Sequence, residues 1–256
     1  MTDPSKKIII FAPREATVTL PVRMEMEFML DQRRLMKHLQ WFTISNIGKF
    51  STDSRQDSPG LEQFLQMSAG EILNERKLRV RLRYLATTLS EQKLRELRVL
   101  LGRAVSAPAP GLIDAWIDSQ VIAIQASAQQ WLATSTAKIA TSKAAAVPLT
   151  TLVGELSAMS ADLSVRAEKR ASFAVLQLNS QIIEEVAKGA GSSHYRWITE
   201  LDNRVRVNHQ PLHDTIQSWD APPAGGGTRP GDVGAPGSGY GCRCVPKPLP
   251  RNQLPA

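Results

Sequence analysis

The chain has 256 residues, of which 42% are hydrophobic and only 5% aromatic, a balance that excludes gross disorder and favours helix-on-helix packing over a β-sandwich. Its formal net charge of +7 indicates either a polyanionic partner such as DNA or simply a basic soluble surface. From this composition we expect a mainly α protein. Because no apolar run reaches the roughly 18 to 20 residues that a transmembrane helix needs, we also expect it to be made in a cytoplasm, without membrane contact.

The first 22 residues predict an extended arm. Two short β-prone runs, residues 8–11 and 17–20, are each followed by a proline, Pro13 and Pro21. The first run holds only four large apolar residues, too few for the core of a signal peptide. We therefore expect no export signal, and an arm over residues 1–22 that can pack onto neighbouring subunits.

Apolar residues at helical spacing predict a helical body over residues 23–190. The first helix is expected over residues 23–50. Ser58 followed by Pro59 is typical of an N-cap with proline in the first turn, and predicts a second helix. This helix is expected to end just before Ser90, which is itself a candidate cap for a third.

The second half of the body is expected to form two longer helices. Residues 112–146 are rich in alanine and contain neither glycine nor proline, which favours one nearly unbroken helix. Pro148 interrupts the pattern, and residues 149–188 then resume the helical spacing. Gly189 and Gly191 are expected to end this last helix.

The densest basic segment of the chain lies in the second predicted helix. The i, i+3 and i+7 spacing of Arg76, Arg79 and Arg83 places them on one face, which could lie along a phosphate backbone without reading bases. A solvated helix face, or ion pairs with the acidic groups of a partner, explains the same pattern. The candidate nucleic-acid-binding residues are Arg76, Lys77, Arg79, Arg81 and Arg83.

The character of the sequence changes near residue 191. Aromatic and charged residues there give way to a Pro/Gly-rich stretch, residues 221–241, which holds too many breakers for a helix. The stretch ends in Tyr-Gly-Cys-Arg-Cys, so we predict a long loop tied down at both ends rather than a flexible linker. Residues 191–256, the C-terminal module, are therefore expected to be a small irregular α+β unit.

Two histidines and two cysteines of this module form a candidate zinc site. His209 and His213 are four residues apart, so both imidazoles would face one side of a helical turn, and the thiolates of Cys242 and Cys244 would complete a tetrahedral set. A Cys-x-Cys pair in a reducing compartment is a poor candidate for a disulfide. The Cys-x-Cys spacing is tighter than the usual Cys-x2-Cys, and Pro211 between the histidines disfavours a regular helix there. The alternative is a polar core, in which the imidazoles form hydrogen bonds and the cysteines pack as small apolar residues.

Asp202 admits two interpretations. As a structural group it would pair with Arg204 or Arg206 and fix the turn. As a catalytic group it would join His209 and His213 in a hydrolase-like or nuclease-like site. Four protein ligands would leave a metal without the open position that such chemistry needs, so we expect no enzymatic activity.

The order of residues 195–244 resembles the signature of the phage Mu F-like minor head protein family. The string reads aromatic-x-Trp-x-Thr-x-x-Asp-x-Arg-Val-Arg-x-x-His-x-x-Leu-His, followed by a Pro/Gly-rich loop and Gly-Cys-Arg-Cys. In that signature a glycine commonly follows the second histidine, whereas this chain has Asp214. The matching positions are Tyr195, Trp197, Thr199, Asp202, Arg204, Val205, Arg206, His209, Leu212, His213, Gly241, Cys242, Arg243 and Cys244.

The resemblance implies a structural minor head protein that enters the procapsid near the portal. Its partners would be the portal protein, other head proteins and the packaged double-stranded DNA. It would be located in the virion, in the head interior or at the portal vertex, after assembly in the host cytoplasm. The alternatives are a nuclease or transferase-like effector carried in the virion, and a free DNA-binding protein. The motif residues expected to shape the C-terminal module are Trp197, Thr199, Asp202, Arg204, Arg206, Leu212 and Arg243.

Overall fold

Helices dominate the structure, a computed structural model that describes residues 17–51, 73–102 and 105–253. With the small antiparallel sheet near the C-terminus, they confirm the predicted mainly α fold with a small α+β part. Residues 1–16 of the predicted arm lie outside the described residues. No helix in the described ranges combines the length and the apolar character needed to cross a membrane. The helices are α1 (Val22–Ser51), α2 (Glu75–Leu101), α3 (Pro110–Ala144) and α4 (Leu149–Gly189).

Local sequence signals set the ends of these helices. α2 begins after Asn74, whose side chain accepts a hydrogen bond from the backbone N–H of Lys77 at 3.0 Å. It ends at Gly102, which adopts the left-handed conformation that glycine tolerates. α3 begins with Pro110. Proline lacks a backbone N–H, but the N–H groups of the first helical turn have no acceptor within the helix, so no hydrogen bond is lost there. Pro148 separates α3 from α4, as the sequence predicts.

The predicted break between two helices at Ser90 is wrong. Ser90 is buried inside α2, and one apolar stripe continues past it from Leu89 to Leu97. Serine caps a helix only where the backbone leaves the helical conformation, and α2 stays helical here because its successive turns bury leucine side chains. The predicted cap at Ser58 and Pro59 lies outside the described residues.

α4 is the central helix and packs against the other three. At about 1.5 Å per residue its 41 residues extend for roughly 60 Å, long enough to border two successive apolar clusters. One cluster surrounds Trp131, whose Nε1 donates to Thr43 Oγ1 at 3.1 Å. The other surrounds Trp116, whose Nε1 donates to the carbonyl of Ala174 at 3.0 Å. Both indoles therefore satisfy their polar atom inside the core.

A buried lysine of α2 holds the end of the predicted arm. Lys93 is fully buried, and its Nζ donates to the carbonyl of Thr19 and to Glu96 Oε2, the latter at 2.8 Å. Glu96 also accepts from the backbone N–H of Thr19 at 3.1 Å. Because a buried ammonium group needs a partner and hydrogen bonds, these contacts fix the described part of the arm on α2.

An ion pair between α1 and α4 is expected to make stability depend on pH. Arg33 donates two hydrogen bonds to Glu168, at 2.7 and 2.6 Å, and they hold the pKa of Glu168 below its ordinary value of 4.5. A lowered carboxyl pKa stabilises the folded state above pH 4.5, and this contribution is lost as the pH falls through the folded-state pKa. We therefore expect urea denaturation to show a stability difference between wild type and Glu168→Gln that shrinks on acidification. A difference that stays constant with pH would contradict this.

The C-terminal module adds a small sheet to α4. Its strands are β1 (His194–Ile198), β2 (Ile216–Ser218) and β3 (Val245–Pro248). They pair in the order β2-β1-β3, with Tyr195 opposite Gln217 and Trp197 opposite Pro246. Tyr195 and Trp197 lie on the same face of β1, because side chains alternate along a strand, and both are fully buried. They belong to the same apolar cluster as the second half of α4, so the module shares its core with the helical body.

Candidate functional site

The two motif histidines flank a short 3-10 helix, Gln210–Leu212, rather than a turn of α-helix. Pro211 in the middle of this segment cannot supply a backbone N–H, which disfavours the α-helical hydrogen bonds. A 3-10 helix has about three residues per turn, so side chains four positions apart are rotated by roughly 120°. The expectation that both imidazoles face one side is therefore corrected: His209 and His213 point to different surroundings.

His213 is engaged with the end of β1. Its Nδ1 accepts a hydrogen bond from the backbone N–H of Thr199 at 3.1 Å and lies 2.9 Å from Thr199 Oγ1. These contacts tie the end of the 3-10 helix to the residue that follows β1. His213 consequently stands outside the group of ligand atoms that the other three predicted ligands form, and the predicted set of four is corrected to three.

His209, Cys242 and Cys244 converge in the interior of the module, and we call them the His/Cys cluster. Their ligand atoms all lie within 4.8 Å of one another, and His209 Nδ1 is 3.5 Å from each of the two sulfur atoms. All three residues are buried, His209 with 1% exposure. The motif order of the sequence thus corresponds to one compact arrangement of an imidazole and two thiols.

The orientation of the His209 ring is fixed from its far side. Its Nε2 lies 2.9 Å from the carbonyl oxygen of Gly227, which can only accept a hydrogen bond. Nε2 must therefore carry the proton, and in the neutral ring Nδ1 presents its lone pair to the sulfur atoms. The ring of Trp197 packs edge-on against the imidazole at a centroid distance of 5.4 Å.

Hydrogen bonding within the cluster shifts the pKa values of the two thiols in opposite directions. The hydrogen bond from Cys244, assisted by His209 and by the backbone N–H groups of Cys244 and Gly237, lowers the pKa of Cys242 to about 4. The same contact with Cys242, together with burial, raises the pKa of Cys244. Burial lowers the pKa of His209, but its bonds to Cys242 and Gly227 outweigh this and raise it. Cys242 is therefore the more acidic of the two thiols.

The Gly-rich loop, residues 221–241, is a compact structure that brings the cysteines to His209. The backbone N–H groups of Gly225 and Gly227 both donate to the carbonyl of Asp232, at 2.9 and 3.0 Å. Gly226 lies so close to Gly234 that a Cβ atom would stand 2.0 Å from its carbonyl oxygen. The interpretation as an ordered loop rather than a flexible linker agrees with this geometry.

Three residues that the sequence pattern did not single out orient His209 or hold the Gly-rich loop against α4. Gly227 supplies the carbonyl that orients His209, and Ser180 of α4 donates to the carbonyl of Pro236 in the loop. Tyr240 packs against Phe173 of α4, with ring centroids 5.3 Å apart. Only Tyr240 could have been noticed in the sequence, because it stands next to Gly-Cys-Arg-Cys. Nothing in the sequence distinguishes Gly227 from the other loop glycines or Ser180 from the other helical serines.

The polar motif residues stabilise the turn before His209. Asp202 accepts hydrogen bonds from Arg204, the closest at 2.8 Å, and Arg243 Nη1 lies 3.6 Å from the same carboxylate. Arg204 thereby lowers the pKa of Asp202.

Arg206 donates to the carbonyl of Tyr240 at the end of the Gly-rich loop. Leu212 is half-buried against the apolar core. Asp202, His209 and His213 thus each make a separate set of contacts.

Asp214 occupies the position where the family signature commonly has glycine. Its backbone is in the left-handed region, with φ of 64°, which glycine favours and aspartate tolerates better than most residues. Its N–H donates to the carbonyl of Trp197 at 2.8 Å, and its carboxylate accepts from Arg196 at 3.1 Å. The turn therefore keeps a glycine-like conformation with a side chain in place.

Three of the five candidate nucleic-acid-binding residues form ion pairs within the chain. Apart from Glu75, which lies in α2 itself, the carboxylates that they contact lie on α1 and α3, so these ion pairs hold α2 against both helices. Arg76 and Lys77 are exposed near the start of α2. The ion pairs are Arg79 with Glu75 and Asp118, Arg81 with Glu27 and Asp31, and Arg83 with Asp114.

The fold and the site together define a mainly helical protein whose last long helix carries a small module centred on a buried His/Cys cluster. Residues 123–246 match the family described as "Phage Mu protein F like protein", a span that holds α4, β1 and all three cluster residues. Over these residues the chain is therefore similar to a family of bacteriophage head-related proteins.

A relative in Haemophilus influenzae, an uncharacterized protein, is 32% identical over 99 residues. The alignment covers 37% of this chain and 21% of that protein, so the match spans about a fifth of the relative's length. No solved structure matches the chain.

Proposed function

We propose that the chain is a structural minor head protein, located inside the head at the portal vertex, that acts in head assembly and in DNA packaging or delivery. The family match over residues 123–246 is the observation that carries this proposal. The matched span runs through α4 into β3, and these elements share one apolar core. The family likeness therefore covers a folded unit and extends beyond a short motif.

The proposed partners are the portal protein, other head proteins and the packaged double-stranded DNA. The net charge of +7 favours contact with polyanions. Arg76, Lys77 and Arg83 are the exposed members of the candidate DNA-binding set, but Arg83, like Arg79 and Arg81, forms an ion pair that offsets its charge. We therefore propose that any DNA contact by α2 is made near its N-terminal end.

We propose a structural role, rather than a catalytic one, for the His/Cys cluster. His209, Cys242 and Cys244 are all buried, so a macromolecular substrate could not reach them without opening the module. The contacts of Asp202 with Arg204 and of His213 with Thr199 likewise serve the turn. A virion-carried nuclease or transferase remains the alternative that the experiment below must distinguish.

The test is to compare phage heads made with and without the chain. We expect a stop codon at Trp197 to abolish production of normal heads, and wild-type heads to contain the chain at low, constant copy relative to the portal protein, as measured by quantitative mass spectrometry. Chemical cross-linking of purified heads should join it to the portal protein, because the proposed location is the portal vertex.

Particles that contain the portal and major capsid proteins but lack the chain would contradict the structural proposal. Cleavage of plasmid DNA by the purified chain with a divalent metal would contradict it as well, provided that His209→Ala abolishes the cleavage. Trp41→Ala serves as a control: the variant chain should still be incorporated into heads, since Trp41 is an exposed residue of α1 remote in sequence from the family span.

A further inference from the structure

We propose that His209 Nδ1, Cys242 Sγ and Cys244 Sγ bind one Zn²⁺ ion. The ion would join the 3-10 turn to the end of the Gly-rich loop and the start of β3, where the two cysteines lie 33 and 35 residues beyond His209. This inference goes beyond the proposed function in the phage head and does not depend on it.

The separation of the ligand atoms fits a tetrahedral zinc ion. With Zn–S bonds of about 2.3 Å and a Zn–N bond of about 2.05 Å, tetrahedral geometry places nitrogen and sulfur roughly 3.6 Å apart. His209 Nδ1 lies 3.5 Å from Cys242 Sγ and 3.5 Å from Cys244 Sγ. The three side chains can therefore bind the ion without moving apart.

The imidazole is already oriented as a metal ligand. A zinc-bound histidine coordinates through one ring nitrogen and commonly donates the N–H of the other to a carbonyl or carboxylate. His209 Nε2 is 2.9 Å from the carbonyl of Gly227, which leaves the Nδ1 lone pair directed at the two sulfurs. An ordinary core histidine needs no such alignment with a pair of thiols.

Donors to the sulfur atoms are also in place. Backbone N–H groups of Gly237 and Cys244 point to Cys242 Sγ, at 3.4 and 3.5 Å. The indole N–H of Trp197 is fully buried; within the described part of the chain it makes no hydrogen bond of good geometry, but it lies near enough to the Cys244 thiol to lower the pKa of that thiol as a donor. The indole ring packs on His209, so this donor lies beside the cluster. Two metal-bound thiolates would give these donors anionic acceptors.

The chemistry of the ligand set selects zinc over the commoner hard cations. Two thiolates and an imidazole are soft or borderline ligands, whereas Mg²⁺ and Ca²⁺ prefer oxygen. Among the described residues, the cluster brings together no carboxylate. A buried ion with these ligands would hold the Gly-rich loop in its folded conformation.

The test uses the full chain purified from zinc-supplemented cells without chelator and then dialysed. We expect about one zinc ion per chain. X-ray absorption should show two sulfur ligands at about 2.3 Å and one imidazole nitrogen near 2.0 Å. Zinc well below stoichiometry in folded wild-type protein would overturn the proposal, and so would a Cys242–Cys244 disulfide in its place.

Variants distinguish this site from the four-ligand alternative. Cys244→Ser is expected to lose zinc, and His213→Ala to retain it with an unchanged absorption spectrum. Trp197→Phe should still bind one ion, with affinity weakened roughly 10-fold to 100-fold because a hydrogen bond to the ligand shell is lost. Loss of zinc in a folded His213→Ala protein, or full retention in Cys244→Ser, would refute the three-residue assignment. These measurements use purified protein, so they can fail while the role in the head holds, and the reverse.

Discussion

Replacing Trp197 by alanine is expected to lower the free energy of unfolding by about 3 to 5 kcal/mol, the cost typical of removing a large buried aromatic side chain. Trp197 is fully buried, lies in the cluster that joins β1 to α4, and packs edge-on against His209. The cavity would open beneath the sheet, where β1 cannot collapse inward because both neighbouring strands hold it. Urea denaturation followed by circular dichroism measures the change.

Trp41→Ala provides the matched control for this prediction. Trp41 is 63% exposed on α1, so its replacement is expected to change stability by less than about 0.5 kcal/mol. Equal effects of the two substitutions would show that the C-terminal module does not share a cooperative core with the helical body. A large loss for Trp197→Ala alone would support that shared core.

Gly226→Ala is expected to disrupt the Gly-rich loop and destabilise the protein by about 1 to 3 kcal/mol, as forced overpacking does. The new methyl group would stand 2.0 Å from the carbonyl oxygen of Gly234, an atom of the backbone that cannot rotate away. The loop carries Cys242 and Cys244 to His209, so its displacement should also expose the thiols. We therefore expect faster reaction of both cysteines with a thiol reagent, in addition to a lower urea midpoint.

Gly154→Ala is the control for the loop substitution. Gly154 lies inside α4, and among the described residues no heavy atom outside its own helix turn comes within 4 Å of the added Cβ. Alanine favours a helix over glycine by up to about 1 kcal/mol, so this variant should be as stable as the wild type or more so. Slow thiol reaction in Gly226→Ala, at the wild-type rate, would contradict the proposed role of the tight loop.

The long helices could be predicted from sequence because their signals are local. The expected helix over residues 149–188 is α4, and the expected helix over residues 23–50 is α1, each within a residue or two at its ends. Spacing of apolar residues and the position of Pro148 suffice for this. Ser90 shows the limit: its side chain suits a cap, but the leucines on both sides keep α2 continuous.

The candidate site was only partly predictable. The sequence pointed to His209, Cys242 and Cys244, but treated His213 as their equal because it assumed α-helical geometry. Because Pro211 favours a 3-10 turn over an α-helical one, the imidazole of His213 points away from the thiols. Its Nδ1 accepts a hydrogen bond from the backbone N–H of Thr199 instead. For the arginines of α2 the sequence left open a DNA-facing surface, a solvated face and ion pairs with the acids of a partner, since all but one of the carboxylates that pair with them lie on other helices of the chain.

Composition, helical spacing and the order of the motif residues by themselves determined a mainly helical fold and a resemblance to the Mu F-like family. These features depend on residues close together in the chain, where the backbone geometry is known in advance. Only the tertiary structure decided which histidine meets the thiols and how the arginines are paired. Those contacts join residues more than thirty positions apart, and their formation depends on how the whole chain packs.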